Sequence, residues 1–224
     1  MIELLTIILS CAGIVVSIIF ITLLSAYVPF FKVTDGEKIQ EQKKIKPALL
    51  VVDVQEGLSG SLSTKGYQGY ADQSDALIAS LNKVIDQAVL KGVPVIYVYH
   101  EDTHPVIQYV TQSHMASGAP GTAIDKRVKI VSENRFNKNI MDGFSNPKLH
   151  QFLRAENINK LYMTGLDAAF CVYRTSRAAK KRNYQVTLIK DAVISSSKPK
   201  KEKMIEKYHN HKIMTITVKD FTEN

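Results

Sequence analysis

At 224 residues the chain is long enough for one α/β domain with a small appendage and too short for two domains that each bury a core. A 45% hydrophobic and 22% charged composition, with eleven Gly and seven Pro, excludes a disordered, collagenous or low-complexity protein. The net charge of +8 is uneven, because all 29 Lys plus Arg lie at Lys32 or later, while Leu4 to Phe31 contains no Asp, Glu, Lys, Arg or His.

That first run exceeds the roughly 20 apolar residues that carry a helix across a bilayer core. Only Met1, Ile2 and the acidic Glu3 precede it, so it lacks the basic start and short apolar stretch of a cleaved leader. Residues 4–31 are therefore expected to be a retained transmembrane helix. Ser10, Ser17, Thr22 and Ser25 supply no polar stripe of the kind that marks a buried soluble helix, and Cys11 reads as a small apolar residue of the span. Lys32, Lys38, Lys43, Lys44 and Lys46 follow directly, and this basic flank predicts a cytoplasmic location for everything beyond residue 32. Cys171 is the other cysteine, so no disulfide framework is expected, in keeping with a reducing compartment.

Residues 32–47 are polar and aperiodic and read as a juxtamembrane linker, with a folded domain over 48–224. ALLVVDV predicts a buried strand, followed by a glycine-rich loop from Gln55 to about Gln73. Leu77, Ile78, Leu81, Val84, Ile85, Ala88 and Val89 have helical spacing, with Ser74 as the expected N-cap and Gly92 at the C-terminus. VPVIYVY is the second strand; a long loop from His100 to Asp125 leads to RVKIVS as the third. PKLHQFLRAEN, the helix beginning near Cys171, and PKKEKMIEKYHNH alternate with the strands INKLYMTG, YQVTLIKDAV and KIMTITV. Apolar strands alternating with amphipathic helices predict a mainly parallel sheet with helices on both faces.

Ligands of such sheets bind at the carboxyl ends of the strands. Asp53 closes the first strand and Cys171 follows INKLYMTG, so both should reach one crevice. Cys171 falls in the first turn of a helix, where free amides and the helix dipole favour a thiolate. A buried, inert cysteine and a loop aspartate satisfy the same pattern.

Four pieces of sequence, in order, resemble the isochorismatase-like cysteine hydrolases, a family that includes nicotinamidases and carbamoylsarcosine amidases: LLVVDVQ, GAPGTAID, KNIMDGFSNPKL and TGLDAAFCV. The resemblance spans about residues 48 to 217. It implies a Rossmann-like α/β fold and a catalytic Asp53, Lys138 and Cys171, with Gln55 near the substrate. It also implies a cis peptide between Leu166 and Asp167 and an oxyanion site made by the amides of Asp167 and Cys171. Counted from the end of RVKIVS, Glu133 or Asn134 would occupy the lysine's place; counted back from Phe144 and Leu149, Lys138 does. The implied chemistry is hydrolysis of a small amide through a thioester, because relatives acting on a vinyl ether typically lack the cysteine.

Asp102, His104 and His114 look like the family's metal-binding trio, but the accompanying tryptophan motifs are absent, as Trp is from the whole chain. The preferred reading makes them loop residues and requires no cofactor. Residues 174–212 hold twelve Lys plus Arg against three acids, among them Arg174, Arg177, Lys181, Lys198, Lys200, Lys201 and Lys203. No recognised nucleic-acid-binding motif accompanies them, so nucleic acid is not expected, and anionic lipid headgroups are the nearer partner. A homo-oligomer is compatible with the sequence. The competing function is a membrane-tethered binding or scaffold module that keeps the fold without turnover.

Overall fold

The computed structural model describes the backbone of residues 2–223, and side chains from residue 13 onward except those of 26, 65 and 110. Cys11 and the first part of the apolar run therefore lie outside the described side chains. Six strands, β1 (Pro47–Val52), β2 (Val95–His100), β3 (Arg135–Lys138), β4 (Lys160–Gly165), β5 (Gln185–Val193) and β6 (Met214–Ile216), form one sheet in the order β3-β2-β1-β4-β5-β6. Every neighbouring pair is parallel. The helices are α1 (Ile2–Phe30), α2 (Gln68–Leu90), α3 (Pro105–Val110), α4 (Pro147–Ala155), α5 (Cys171–Lys181), α6 (Lys198–Asn210) and α7 (Val218–Glu223).

The alternation along β1 sorts the core into two layers. Ala48, Leu50 and Val52 pack with Leu149 and Leu153 of α4, Val172 of α5 and Tyr208 of α6. Leu49 and Val51 pack with Leu77, Leu81, Val84 and Ile85 of α2 and Phe221 of α7. Each such fully buried aliphatic side chain contributes about 1.5–3 kcal/mol. With both faces covered, β1 and β2 carry apolar residues at nearly every position. The strand order reverses direction between β1 and β4, which opens a crevice at their carboxyl ends. Gly165 makes the approach close: its φ is +104°, and a Cβ there would lie 2.0 Å from the Val52 carbonyl oxygen.

The structure differs from the sequence reading in three respects. The third strand is Arg135–Lys138, not RVKIVS. The Tyr97 hydroxyl donates to the Lys129 carbonyl and accepts from the Val131 amide, so that stretch is held at the sheet margin without joining the ladder. Second, α2 begins at Gln68, and Ser74 is buried within it, accepting from Arg127 instead of capping. Gly92, with φ +65°, does follow the helix end as expected. Third, two short helices, α3 and α7, occupy stretches read as loop and chain end.

α1 is long and apolar enough to cross a membrane: the window Gly13–Phe30 has a mean hydropathy of 2.2 and none of it is buried. Residues 32–46 have no regular secondary structure, yet they are bound to the domain. The Thr34 amide and hydroxyl donate to Asp142 Oδ2 at 2.8 and 2.6 Å, Arg182 donates to the carbonyls of Thr34 and Asp35, and Ile39 is buried with its amide on the Arg182 carbonyl.

Candidate active site

Asp53 sits one residue beyond β1, with its amide on the Val98 carbonyl and φ at +54°, a region rare for a residue with a side chain. Such backbones persist where the surroundings enforce them and cluster at functional sites. Lys138 is the last residue of β3, whereas Glu133 and Asn134 precede the strand. Its Nζ is wholly buried, 2.8 Å from Asp53 Oδ2 and 3.4 Å from Cys171 Sγ. The second carboxylate oxygen, Asp53 Oδ1, is buried with no hydrogen-bond partner. The three residues come from the ends of β1 and β3 and the turn after β4, and they meet at one point.

The Leu166–Asp167 peptide is cis. In the turn that follows, the amides of Ala168, Ala169, Phe170 and Val172 are engaged by Ile194 O, Asp167 Oδ1, Asp167 O and Asp167 O respectively. Those of Asp167 and Cys171 have no such partner among the described residues. The Asp167 side chain fixes the turn by accepting from the hydroxyls of Tyr70 and Ser195, each at 2.7 Å, and from the Ser196 amide at 3.2 Å.

Burial pushes the Cys171 thiol well above its ordinary value, the Asp53 carboxylate pushes it further, and the Lys138 ammonium pulls it back only in part. Helix-start position alone had suggested a lowered value; the carboxylate and the dry surroundings reverse it. Burial by itself would weaken the Lys138 ammonium, but Asp53 and the Cys171 sulfur together hold its pKa above the usual lysine value. The resting site is thus a thiol beside an Asp–Lys ion pair, with the proton acceptor for the thiol already in place.

His100, for which the sequence offered no motif, ends β2 in register with Lys138. Its Nδ1 lies 3.4 Å from Lys138 Nζ and its Nε2 2.6 Å from Asp102 Oδ1. An ammonium can only donate, so Nδ1 accepts and Nε2 carries the proton that Asp102 receives. Thr111 holds the other Asp102 oxygen at 2.9 Å. The signal that could have found His100 is its place as the last residue of VPVIYVYH, one strand over from Asp53.

Of the other sequence candidates, Asp102 reaches the site through His100, while Gln55, His104 and His114 do not line the cavity. Gln55 is fully buried and does not line the cavity: its Nε2 donates to the carbonyls of His100 and Thr122 and its Oε1 accepts from the His100 amide. It ties the strand ends together. Asp102, His104 and His114 do not converge. Asp102 is bound to His100 and Thr111, His104 is exposed and caps α3 by accepting from the Val106 amide, and His114 Nε2 lies 2.9 Å from the Gly57 carbonyl oxygen. No group of three metal-binding side chains occurs among the described residues, and this trio as arranged does not fit a metal.

The cavity above Cys171 has a volume of about 280 Å³. Tyr67, Tyr70, Met115, Leu166 and Phe170 form much of its wall, and Tyr27, Phe30 and Phe31, at the end of α1 and just beyond, close one side. The Phe30 ring packs edge-on against His100 with centroids 5.6 Å apart, and its carbonyl accepts from the Met141 amide. Arg174 donates to the Phe31 carbonyl at 3.0 Å and lies over the rings of Phe31 and Phe170.

Residues 47–220 match the isochorismatase domain family, and the chain belongs to that family of hydrolases. An uncharacterized isochorismatase family protein, YrdC of Bacillus subtilis (strain 168), is 26% identical over 148 residues, 66% of this chain and 73% of that one. The N-carbamoylsarcosine amidase of Thermoplasma acidophilum superposes with a TM-score of 0.64 at 27% identity, covering 78% of this chain and 97% of the amidase. A pyrazinamidase of Pyrococcus horikoshii, solved in complex with zinc, superposes with a TM-score of 0.64 at 23% identity, covering 77% and 99%. Amidases are thus among the structural relatives.

Proposed function

We propose that this protein is a membrane-anchored cysteine amidohydrolase that cleaves a non-peptide C–N bond through a thioester on Cys171. The observation that carries this is Lys138 Nζ placed between Asp53 Oδ2 and Cys171 Sγ, at 2.8 and 3.4 Å. In the first half-reaction Asp53 takes the thiol proton as Sγ attacks the amide carbonyl carbon. The oxygen that gains charge accepts from the Asp167 and Cys171 amides, which need no reorganisation to receive it. The C–N bond then breaks, Asp53 returns the proton to the departing nitrogen, and ammonia or an amine leaves. Asp53 next takes a proton from water, which attacks the thioester; the C–S bond breaks, the acid departs and the thiol is restored. Lys138 stays an ammonium throughout and stabilises whichever of Asp53 and Cys171 carries the negative charge.

The anchoring half of the reading rests on the length and hydropathy of α1 and on the lysines that follow it, which favour a cytoplasmic domain. The test is ammonia release from small amides by the full chain in detergent, with Cys171→Ser as the comparison. Turnover that vanishes in Cys171→Ser, with an acyl-enzyme trapped on Cys171 by mass spectrometry, supports the reading. A folded protein that never acylates Cys171 would make it a tethered binding module instead.

A further inference from the structure

Resting on the amidase reading, we propose that the substrate is a long-chain acyl amide taken directly from the bilayer, its carbonyl carbon over Cys171 and its chain leaving the cavity along α1.

Three observations lead there. The first is the wall: the end of α1 supplies Tyr27 and Phe30, and Phe31 follows them, so the most apolar segment of the protein is also a side of the active site. Tyr27 is 60% exposed, and its neighbours along α1 present apolar side chains outward, among them Phe20, Leu23 and Leu24. An apolar chain leaving the cavity past Tyr27 would therefore stay in contact with hydrocarbon-like surface.

The second is the lack of polar handles. Asp102 is held by His100 and Thr111, and Asp167 by Tyr70, Ser195 and Ser196, so neither carboxylate of the lining beyond Asp53 is available to a substrate. A site built for a small, water-soluble amide needs placed polar groups to orient it. Here the two free amides hold the carbonyl, and beyond the hydroxyls of Tyr27 and Tyr67 the rest of the lining offers mainly apolar contact.

The third is size. A cavity of about 280 Å³ is at the lower end for a ligand site, so it takes the amide head and the first carbons while the remainder extends outside. A second cavity of about 290 Å³ lies against the same helix, and Phe30, Asp102 and Ile107 line both. At the rim, Arg174 lies over Phe31 and Phe170, and Lys200 lies 4.2 Å from the Phe170 ring. Cations above aromatic rings at the root of an apolar helix match the headgroup level of a bilayer.

The experiment reconstitutes the full chain in phosphatidylcholine vesicles and measures ammonia release from straight-chain primary amides of two to eighteen carbons, with nicotinamide as a polar comparison. Expected is a kcat/KM that rises about fourfold per methylene over the first several carbons, as each leaves water, and long amides preferred over nicotinamide. Tyr27→Asp, on an exposed part of α1, should flatten that rise and collapse the long-to-short ratio. If Cys171-dependent hydrolysis is found but is flat or falls with chain length, or if Tyr27→Asp leaves the ratio unchanged, the lipid-substrate inference is overturned and the amidase reading stands. If no amide of any length acylates Cys171, both fall.

Discussion

Replacing Asp53 by Asn removes one charge from the site while preserving its shape, and it should change thiol reactivity and turnover in opposite directions. In the native site the Lys138 ammonium is 2.8 Å from Asp53 Oδ2 and 3.4 Å from Cys171 Sγ, so the carboxylate offsets much of what the cation does to the sulfur. At an effective dielectric of about 20, a unit charge 3.4 Å from a thiolate attracts it by about 5 kcal/mol. The wild-type thiol is held up by burial and by Asp53, so it is protonated at neutral pH and its alkylation should accelerate only as pH rises. Without Asp53 one of those upward influences is gone and the attraction of Lys138 is unopposed, so the alkylation profile should move to lower pH. Turnover should nevertheless fall by at least about 100-fold, because the group that shuttles the proton is lost. The assay is iodoacetamide modification of Cys171 against pH, followed by mass spectrometry, beside ammonia release. A profile that stays put, or moves to higher pH, would refute the charge balance described for this site.

Arg182→Ala should lower stability by about 3 kcal/mol in urea unfolding, because a buried guanidinium that holds the Thr34 and Asp35 carbonyls and stacks on Phe144 is lost. It should also expose residues 32–46 to protease; unchanged stability and digestion would show that the strap is incidental. Chelators should leave activity and metal content unaltered, since Asp102, His104 and His114 face different partners, and stoichiometric zinc, iron or manganese in the purified protein would contradict that. A tag placed after Asn224 should be protected from protease in intact cells, and ready digestion would reverse the orientation inferred from the lysines after the span.

The sheet and two of the central residues were legible because parallel strands leave a strong sequence trace. ALLVVDV and INKLYMTG are mainly apolar, and the carboxyl-end rule then places Asp53 and Cys171 together without reference to any relative. Lys138 needed more, since RVKIVS has the β-branched composition of a strand and RFNK does not. The edge strand alternates exposed and sheltered positions and buries only the lysine, so its composition is polar and its trace weak. His100 was missed for another reason: nothing local distinguishes a histidine that ends a strand pointing into a site from one that points to water. The raised thiol was illegible because it depends on three groups far apart in the chain, the outer two, Asp53 and Cys171, separated by more than a hundred residues. The folding of Phe30 and Phe31 onto the cavity likewise leaves no periodic signature in an apolar run.

The contact between Phe30 and His100 bears on how the protein can be handled. Cutting the chain ahead of Lys32 is the obvious route to a water-soluble protein, and it would keep the sheet, the strap and all three of Asp53, Lys138 and Cys171. It would also take away Tyr27, Phe30 and Phe31, removing one wall of the cavity and opening that side to water. Hydration would then weaken the Asp53–Lys138 attraction and relieve the burial that holds the thiol protonated. The trimmed protein would present a more readily alkylated cysteine, so thiol reactivity measured on it would describe a different site from the one that α1 completes.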